Sequence, residues 1–208
     1  MRLLGCLFAT LVAGSAFAQT PAPAATPTAG TDAAAPAAVP APKVRFNTTK
    51  GAIVVEVYPD KAPKSVENFL QYVKDKHYDG TLFHRVIDNF MIQGGGFTTD
   101  LKPKPTRAAV ANEANNGLSN LRGTIAMART GDPNSATSQF FINVADNTRL
   151  DYVSSENGYT WGYAVFGKVV EGMEVVDQIK AVETVAQQPL GANVPKEPVV
   201  IESAQIVQ

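Results

Sequence analysis

The 208-residue chain has one cysteine, Cys6, one tryptophan, and only two histidines, His77 and His84. Cys6 lies in a leader-like segment that we expect to be removed, so the rest of the chain has no thiol for disulfides or for cysteine catalysis. Neither histidine occurs at a spacing typical of metal ligands. The sequence therefore predicts neither a metal site nor a disulfide scaffold.

The chain also lacks an excess of charge of either sign. It has 18 lysines and arginines against 19 aspartates and glutamates, a formal net charge of −1, and no basic stripe. Proteins that bind nucleic acid need concentrated positive charge. We therefore expect no nucleic acid partner.

The first eighteen residues have the pattern of a secretory signal peptide. Met1-Arg2 is followed by an apolar run from 3 to 12 and by Ala16-Phe17-Ala18, which resembles a cleavage site. The apolar run is shorter than the roughly 20 residues that a membrane-spanning helix requires. We therefore predict export and no membrane insertion after processing, with a membrane anchor or a lipid-modified Cys6 as alternatives.

Residues 19–42 consist almost entirely of alanine, proline and threonine. Such a segment has no periodic apolar face, and its prolines prevent a continuous helix. It cannot bury enough apolar surface to offset the entropy lost on ordering. We therefore interpret it as a disordered linker to a single domain at 43–208.

Short β-rich runs dominate this domain. They cover 44–48, 52–58, 81–87, 90–93, 124–128, 139–144, 164–170 and 199–207. Apolar residues at helical spacing predict two helices, one marked by Val66, Phe69, Leu70 and Val73 and one by Met173, Val176 and Ile179. Many short strands with two helices predict a mainly β fold in which helices cap a closed barrel, and a β-sandwich fits the same pattern.

Few residues of the domain suggest conventional catalysis. No G-x-S-x-G motif presents a serine to His84, so the default interpretation of His84 is a packing residue. Gly94-Gly95-Gly96 is not followed by the Lys-Ser/Thr of a phosphate-binding loop, and we interpret it as a turn. Arg85 is more unusual, because strand alternation places it on one face with Phe83 and Ile87. Such an arginine is ordinarily ion-paired or extends to solvent.

Four blocks of the sequence resemble the cyclophilin family in the same order. The first is Phe83-His84-Arg85-Val86-Ile87-Asp88-Asn89-Phe90-Met91-Ile92-Gln93-Gly94-Gly95. The others are Gly123-Thr124-Ile125-Ala126-Met127-Ala128, Ser138-Gln139-Phe140-Phe141-Ile142 and Val165-Phe166-Gly167-Lys168-Val169. The resemblance covers essentially the whole domain, and the chain with its leader is similar to the bacterial periplasmic cyclophilins.

This resemblance implies a closed eight-stranded antiparallel β-barrel capped by two α-helices. It also implies peptidyl-prolyl cis/trans isomerisation of proline-containing polypeptides in the periplasm by a monomer that needs no cofactor. Arg85 would be the catalytic residue. The substrate-binding residues would be Phe90, Met91, Gln93, Ala128, Arg129, Gln139, Phe141, Leu150 and Tyr163.

Four residues depart from the commonest pattern of the family. Gly96 replaces a frequent aspartate, Arg129 a frequent asparagine, Arg149 a tryptophan of many eukaryotic members, and Tyr163 a histidine. The predicted catalytic residue, Arg85, is not among the four, so the departures bear on which peptides the groove accepts. A binding module that grips prolyl segments without turnover and an exported hydrolase that uses His84 are the alternative functions.

Overall fold

The computed structural model describes residues 41–207. Eight strands form a barrel: β1 Lys43–Thr48, β2 Gly51–Val57, β3 Thr81–Ile87, β4 Met91–Thr98, β5 Thr124–Met127, β6 Phe140–Asn143, β7 Val165–Glu171 and β10 Val200–Val207. Two helices, α1 Pro63–Lys74 and α2 Met173–Lys180, accompany it. The predicted signal peptide and all but the last two residues of the predicted linker lie outside the described residues.

The barrel is closed, with strand order β1-β10-β3-β4-β6-β5-β7-β2, and every pairing is antiparallel. Closure leaves no edge strand, which a β-sandwich would have. The prediction of an eight-stranded barrel with two helices is therefore confirmed. The sequence did not predict the two-stranded sheet of β8 Thr184–Gln187 and β9 Gly191–Pro195.

Aromatic side chains fill the barrel interior. Phe140 stacks on Phe46 with ring centroids 5.3 Å apart and meets Phe69 and Tyr78 edge-on at 5.9 Å and 5.4 Å. Phe69 comes from α1, which starts with Pro63 in its first turn, where the missing N–H costs no hydrogen bond. These rings belong to a larger set of buried apolar side chains, which we call the interior cluster and which includes Phe83, Val86, Ile92, Ile125 and Met127.

The prediction of a turn at Gly94-Gly95-Gly96 is wrong, because all three residues lie within β4. Gly95 has a φ of +85°, and a Cβ there would lie 2.8 Å from the Tyr78 ring. A Cβ on Gly96 would lie 2.6 Å from the side chain of Gln139. The glycines are therefore required by backbone conformation and close packing inside a strand.

Within residues 41–207, neither α1 nor α2 has the length and the continuous apolar sequence that a membrane-spanning helix requires.

Candidate functional site

A second apolar cluster lies on the outer face of the barrel. Its buried members are Met91, Ala126, Phe141 and Val165. Partly buried side chains pack around them: Ile87, Phe90, Leu118, Ala128, Leu150 and Tyr163. We call this set the groove cluster. It shares strands with the interior cluster and uses their opposite face.

A single row of paired residues builds the floor of this groove. Arg85 pairs with Gln93, Gln93 with Phe141, Phe141 with Ala126, and Ala126 with Val165. Residues directly opposite in neighbouring strands point to the same face of a sheet. The register of the barrel therefore places a guanidinium, an amide and an aromatic ring side by side on β3, β4 and β6, and Ala126 and Val165 continue the row on β5 and β7.

The predicted sharing of one face by Phe83, Arg85 and Ile87 is wrong for Phe83. Phe83 packs in the interior cluster together with Val86, whereas Ile87 packs in the groove cluster. Phe83 pairs with Gly94 and Arg85 with Gln93, so β3 holds one extra residue, His84, between those pairs. This β-bulge resets the alternation and lets Arg85 point outward although Phe83 points inward.

Nine of the ten predicted site residues line one pocket of about 90 Å³. They are Arg85, Phe90, Met91, Gln93, Ala128, Arg129, Phe141, Leu150 and Tyr163. The tenth, Gln139, lines the neighbouring pocket and is joined to the first by a hydrogen bond from Gln93. The fold therefore brings all ten residues together, and their roles toward a substrate stay predictions.

The polar side of the pocket is a short relay of hydrogen bonds. Arg85 donates from Nη1 to Oε1 of Gln93 over 3.4 Å, and Gln93 donates from Nε2 to Oε1 of Gln139 over 2.9 Å. The side chain of Arg85 is exposed. A guanidinium has five N–H donors, so Arg85 retains donors for a molecule in the pocket.

Arg129 binds the loop that forms the opposite wall. It donates from Nε to the Gly162 carbonyl over 3.0 Å and from Nη2 to the Gly158 carbonyl over 2.7 Å. Its guanidinium also lies 4.3 Å from the centroid of the Tyr163 ring. Arg129 therefore fixes the position of Tyr163, which meets Phe141 edge-on at 5.6 Å.

Two buried asparagines, which sequence reasoning missed, hold the main chain of the pocket wall. Asn120 donates to the carbonyls of Leu150 and Tyr163 over 3.2 Å and 3.3 Å. Asn147 donates to the carbonyl of Phe90 over 2.7 Å. Asparagines next to predicted strands were the only available signal, and sequence alone cannot show what they contact.

The neighbouring pocket, of about 140 Å³, adds polar residues that sequence reasoning also missed. Thr130, Ser135 and Thr137 line it together with Gln93, Ala128, Arg129 and Gln139. The three hydroxyl-bearing residues come from the segment between β5 and β6. This pocket extends the groove beyond the apolar site.

His84 is buried against the Phe97 ring, with centroids 4.7 Å apart, and its Nδ1 has no hydrogen-bond partner among the described residues. Desolvation lowers the pKa of His84 to about 4. None of the side-chain hydrogen bonds of residues 41–207 joins His84 to a serine or a carboxylate, as a hydrolytic triad requires. The structure therefore gives no support to the hydrolase alternative.

Residues 43–206 match the family described as cyclophilin type peptidyl-prolyl cis-trans isomerase/CLD. The chain belongs to this family. A peptidyl-prolyl cis-trans isomerase of Streptomyces antibioticus is 59% identical to it over 165 residues, which cover 79% of this chain and 98% of the relative. Peptidyl-prolyl cis-trans isomerase B of Escherichia coli K12 is 54% identical over 163 residues, with 78% and 98% covered.

Solved cyclophilin structures have the same fold. A cyclophilin type isomerase of Cryptosporidium parvum superposes with a TM-score of 0.65 at 25% identity, covering 81% of this chain and 98% of the other. A cyclophilin of Hirschia baltica gives a TM-score of 0.64 at 26% identity, with 80% and 74% covered. The groove of this cyclophilin therefore lies on a barrel that is shared across distant members of the family.

Proposed function

We propose that this cyclophilin accelerates rotation about X-Pro bonds in exported polypeptides and so assists their folding. The observation that carries the proposal is the position of Arg85, whose exposed donors border an apolar pocket in one row with Gln93 and Phe141. All the residues that line the pocket come from a single chain. We therefore propose that the protein acts as a monomer.

The reaction requires a twisted amide to be stabilised rather than a bond to be broken. Rotation removes the amide resonance, with a barrier of about 20 kcal/mol, and takes about 10–100 s without a catalyst. In the twisted state the prolyl nitrogen loses its conjugation and becomes a better hydrogen-bond acceptor. A fixed guanidinium then binds the transition state more strongly than either ground state.

Each part of the groove has a role in this proposal. Met91, Phe141 and Leu150 supply apolar walls for the proline ring. Gln93 and Gln139 hold the peptide main chain, and Arg85 donates toward the prolyl nitrogen. A turnover of about 10³ s⁻¹ against about 10⁻² s⁻¹ without catalyst requires about 7 kcal/mol of transition-state stabilisation. One charge-assisted hydrogen bond and fixation of the ring in a desolvated pocket are of that order.

An isomerisation assay on a prolyl tetrapeptide tests the proposal. We expect Arg85→Ala to lower kcat/KM by about 10²–10³, since one donor to the transition state is worth about 2.7–4 kcal/mol. Its melting temperature should stay near that of the unchanged protein, because Arg85 is exposed. Arg45→Ala is the matched control, since Arg45 is also exposed and lies on β1, directly across the barrel from β6.

A folded Arg85→Ala variant that keeps a third of the activity would refute the role of Arg85. If the unchanged protein binds prolyl peptides but does not accelerate their isomerisation, it acts instead as a binding module.

We also propose that the protein works in the periplasm after removal of residues 1–18. The support is the leader pattern, in which a positive start and a short apolar run precede Ala16-Phe17-Ala18. Sequencing the amino terminus of protein from a periplasmic fraction should find Gln19. Lipidated Cys6, or Met1 retained in a membrane fraction, would overturn this localisation.

A further inference from the structure

Arginine is the only charged residue type that lines the cavities of the groove. Arg85 and Arg129 line the apolar pocket, and Arg129 and Arg149 line a neighbouring cavity of about 750 Å³. No aspartate or glutamate is among the lining residues of these two cavities or of the polar pocket beside them. This charge is local, since the whole chain has a formal net charge of −1.

The three arginines of the groove differ from two of the other three arginines in residues 41–207, Arg45 being the third, which also forms no ion pair. Arg107 and Arg122 are ion-paired, with Asp75 and Asp177 respectively. Within residues 41–207, Arg85, Arg129 and Arg149 form no ion pair. Their charge is therefore not neutralised by the protein itself.

Two of the acidic side chains near the groove are committed to other partners. Asp151 accepts hydrogen bonds from the main chain and side chain of Asn120, over 2.7 Å and 3.0 Å. Asp88 pairs with Lys180 at 3.3 Å. Neither carboxylate lines any of the three cavities.

Arg149 is the groove arginine most available to a substrate side chain. Arg129 already makes three hydrogen bonds to main-chain carbonyls, and Arg85 borders the reacting bond. Arg149 is exposed, and its guanidinium lies 4.8 Å from the centroid of the Phe90 ring. The aromatic face holds the guanidinium at the rim of the pocket while its N–H donors, which lie in the guanidinium plane, stay open.

We propose that this groove prefers prolyl segments that have an aspartate or glutamate within two residues of the proline, and that Arg149 determines the preference. This inference rests on the proposed isomerase function. A carboxylate is the planar acceptor that matches the guanidinium fork. Two residues of extended chain span about 7 Å, a distance over which an exposed charge is still felt at low ionic strength.

The test compares peptides that differ in one side chain. Glutamate, glutamine or lysine is placed in turn at each of four positions, the two before the proline and the two after it. Isomerisation is followed by exchange NMR. At about 0.01 M salt we expect glutamate to exceed glutamine about threefold to fivefold in kcat/KM at one position or more, as for an exposed ion pair. Lysine should fall below glutamine there, and about 1 M salt should remove both differences.

Variants assign the effect to Arg149. Arg149→Gln should reduce the ratio of glutamate to glutamine toward one, and Arg149→Glu should invert it in favour of lysine. Arg45→Gln, which removes one charge from β1 on the far side of the barrel, should leave the ratio unchanged.

The inference would be overturned by a glutamate-to-glutamine ratio of kcat/KM near one at all four positions. It would also be overturned if Arg149→Glu left a ratio above one unchanged. Turnover of the glutamine peptides shows separately whether the proposed isomerase function holds. If those peptides are turned over without a preference for glutamate, only the inference fails. If no peptide is turned over, the proposed function fails with it.

Discussion

Phe140 and Phe141 are neighbours in β6, yet they belong to different parts of the protein. Phe140 is fully buried in the interior cluster, among Phe46, Phe69 and Tyr78. Phe141 points outward, where it is buried in the groove cluster and lines the pocket. Of these two adjacent residues, one thus stabilises the barrel and the other shapes the site.

The same division runs through the neighbouring strands. In β5, Ile125 and Met127 pack in the interior cluster, whereas Ala126 packs in the groove cluster. In β4, Ile92 faces inward and Met91 outward. The site is therefore the outer face of the strands whose inner face holds the molecule together, and substitutions at adjacent positions should affect different properties.

The largest expected effect is that of Phe140→Ala on stability. Removing an enclosed phenylalanine leaves a cavity and should lower the free energy of unfolding by about 3–5 kcal/mol. For a domain of this size, the melting temperature should fall by about 10 °C. Urea denaturation and thermal melting measure both, and Phe140→Leu gives a milder change if the alanine variant does not fold. An unchanged melting temperature would remove the distinction between the two faces.

Acid should act on the buried His84 at the bulge. Burial lowers its pKa to about 4, so between pH 6.5 and 4 the unfolded chain binds a proton that the folded protein does not bind. Above pH 6.5 the imidazole is neutral in both states and has no effect. As the pH falls toward 4, the free energy of unfolding should decrease by about 3 kcal/mol from this group.

Urea denaturation of the unchanged protein and of His84→Leu between pH 7 and pH 4 measures this contribution. Leucine does not titrate, so the decrease should be smaller in the variant. Burial also lowers the pKa of His77, which leaves a residual dependence of the same sign. Parallel curves for the two proteins would show that His84 is not the group responsible.

Phe141→Ala should change activity more than stability. One side of Phe141 borders an open pocket, so Phe141→Ala should lower the free energy of unfolding by only about 1–3 kcal/mol, which is less than Phe140→Ala. The proline ring loses an aromatic wall, and kcat/KM should fall at least tenfold. A comparison of both variants in one isomerisation assay and one urea series is decisive. Greater loss of stability in Phe141→Ala than in Phe140→Ala would reverse the assignment of the faces.

The sequence predicted most of the strands and both helices, because alternation and helical spacing are local patterns. It failed where the pattern is set by packing. The bulge at His84 leaves no mark in the order of apolar and polar residues, so the inward direction of Phe83 could not be predicted. The glycines of β4 were interpreted as a turn, since the Tyr78 and Gln139 side chains that require them are distant in the sequence.

The site residues were found by resemblance to a family, and local pattern alone favours ordinary packing for most of them. Their shared position depends on the register of five strands, which no single segment contains. Asn120 and Asn147 show the same limit, because their hydrogen bonds to the pocket wall join segments far apart in the chain. The shared position of the site residues and the contacts of the two asparagines both depend on pairing between segments that are distant in the sequence.

The row from Arg85 to Val165 lies entirely on barrel strands, and this has a consequence for local unfolding. Amides in closed, paired strands exchange with solvent only when a large part of the molecule opens, whereas loops exchange through small fluctuations. The amides of Gln93 and Phe141 should therefore exchange about as slowly as those of Ile92 and Phe140, the inward-facing residues beside them on the same strands. The loop around Gly158 should exchange faster. The floor of the groove should accordingly persist on heating until the barrel itself melts.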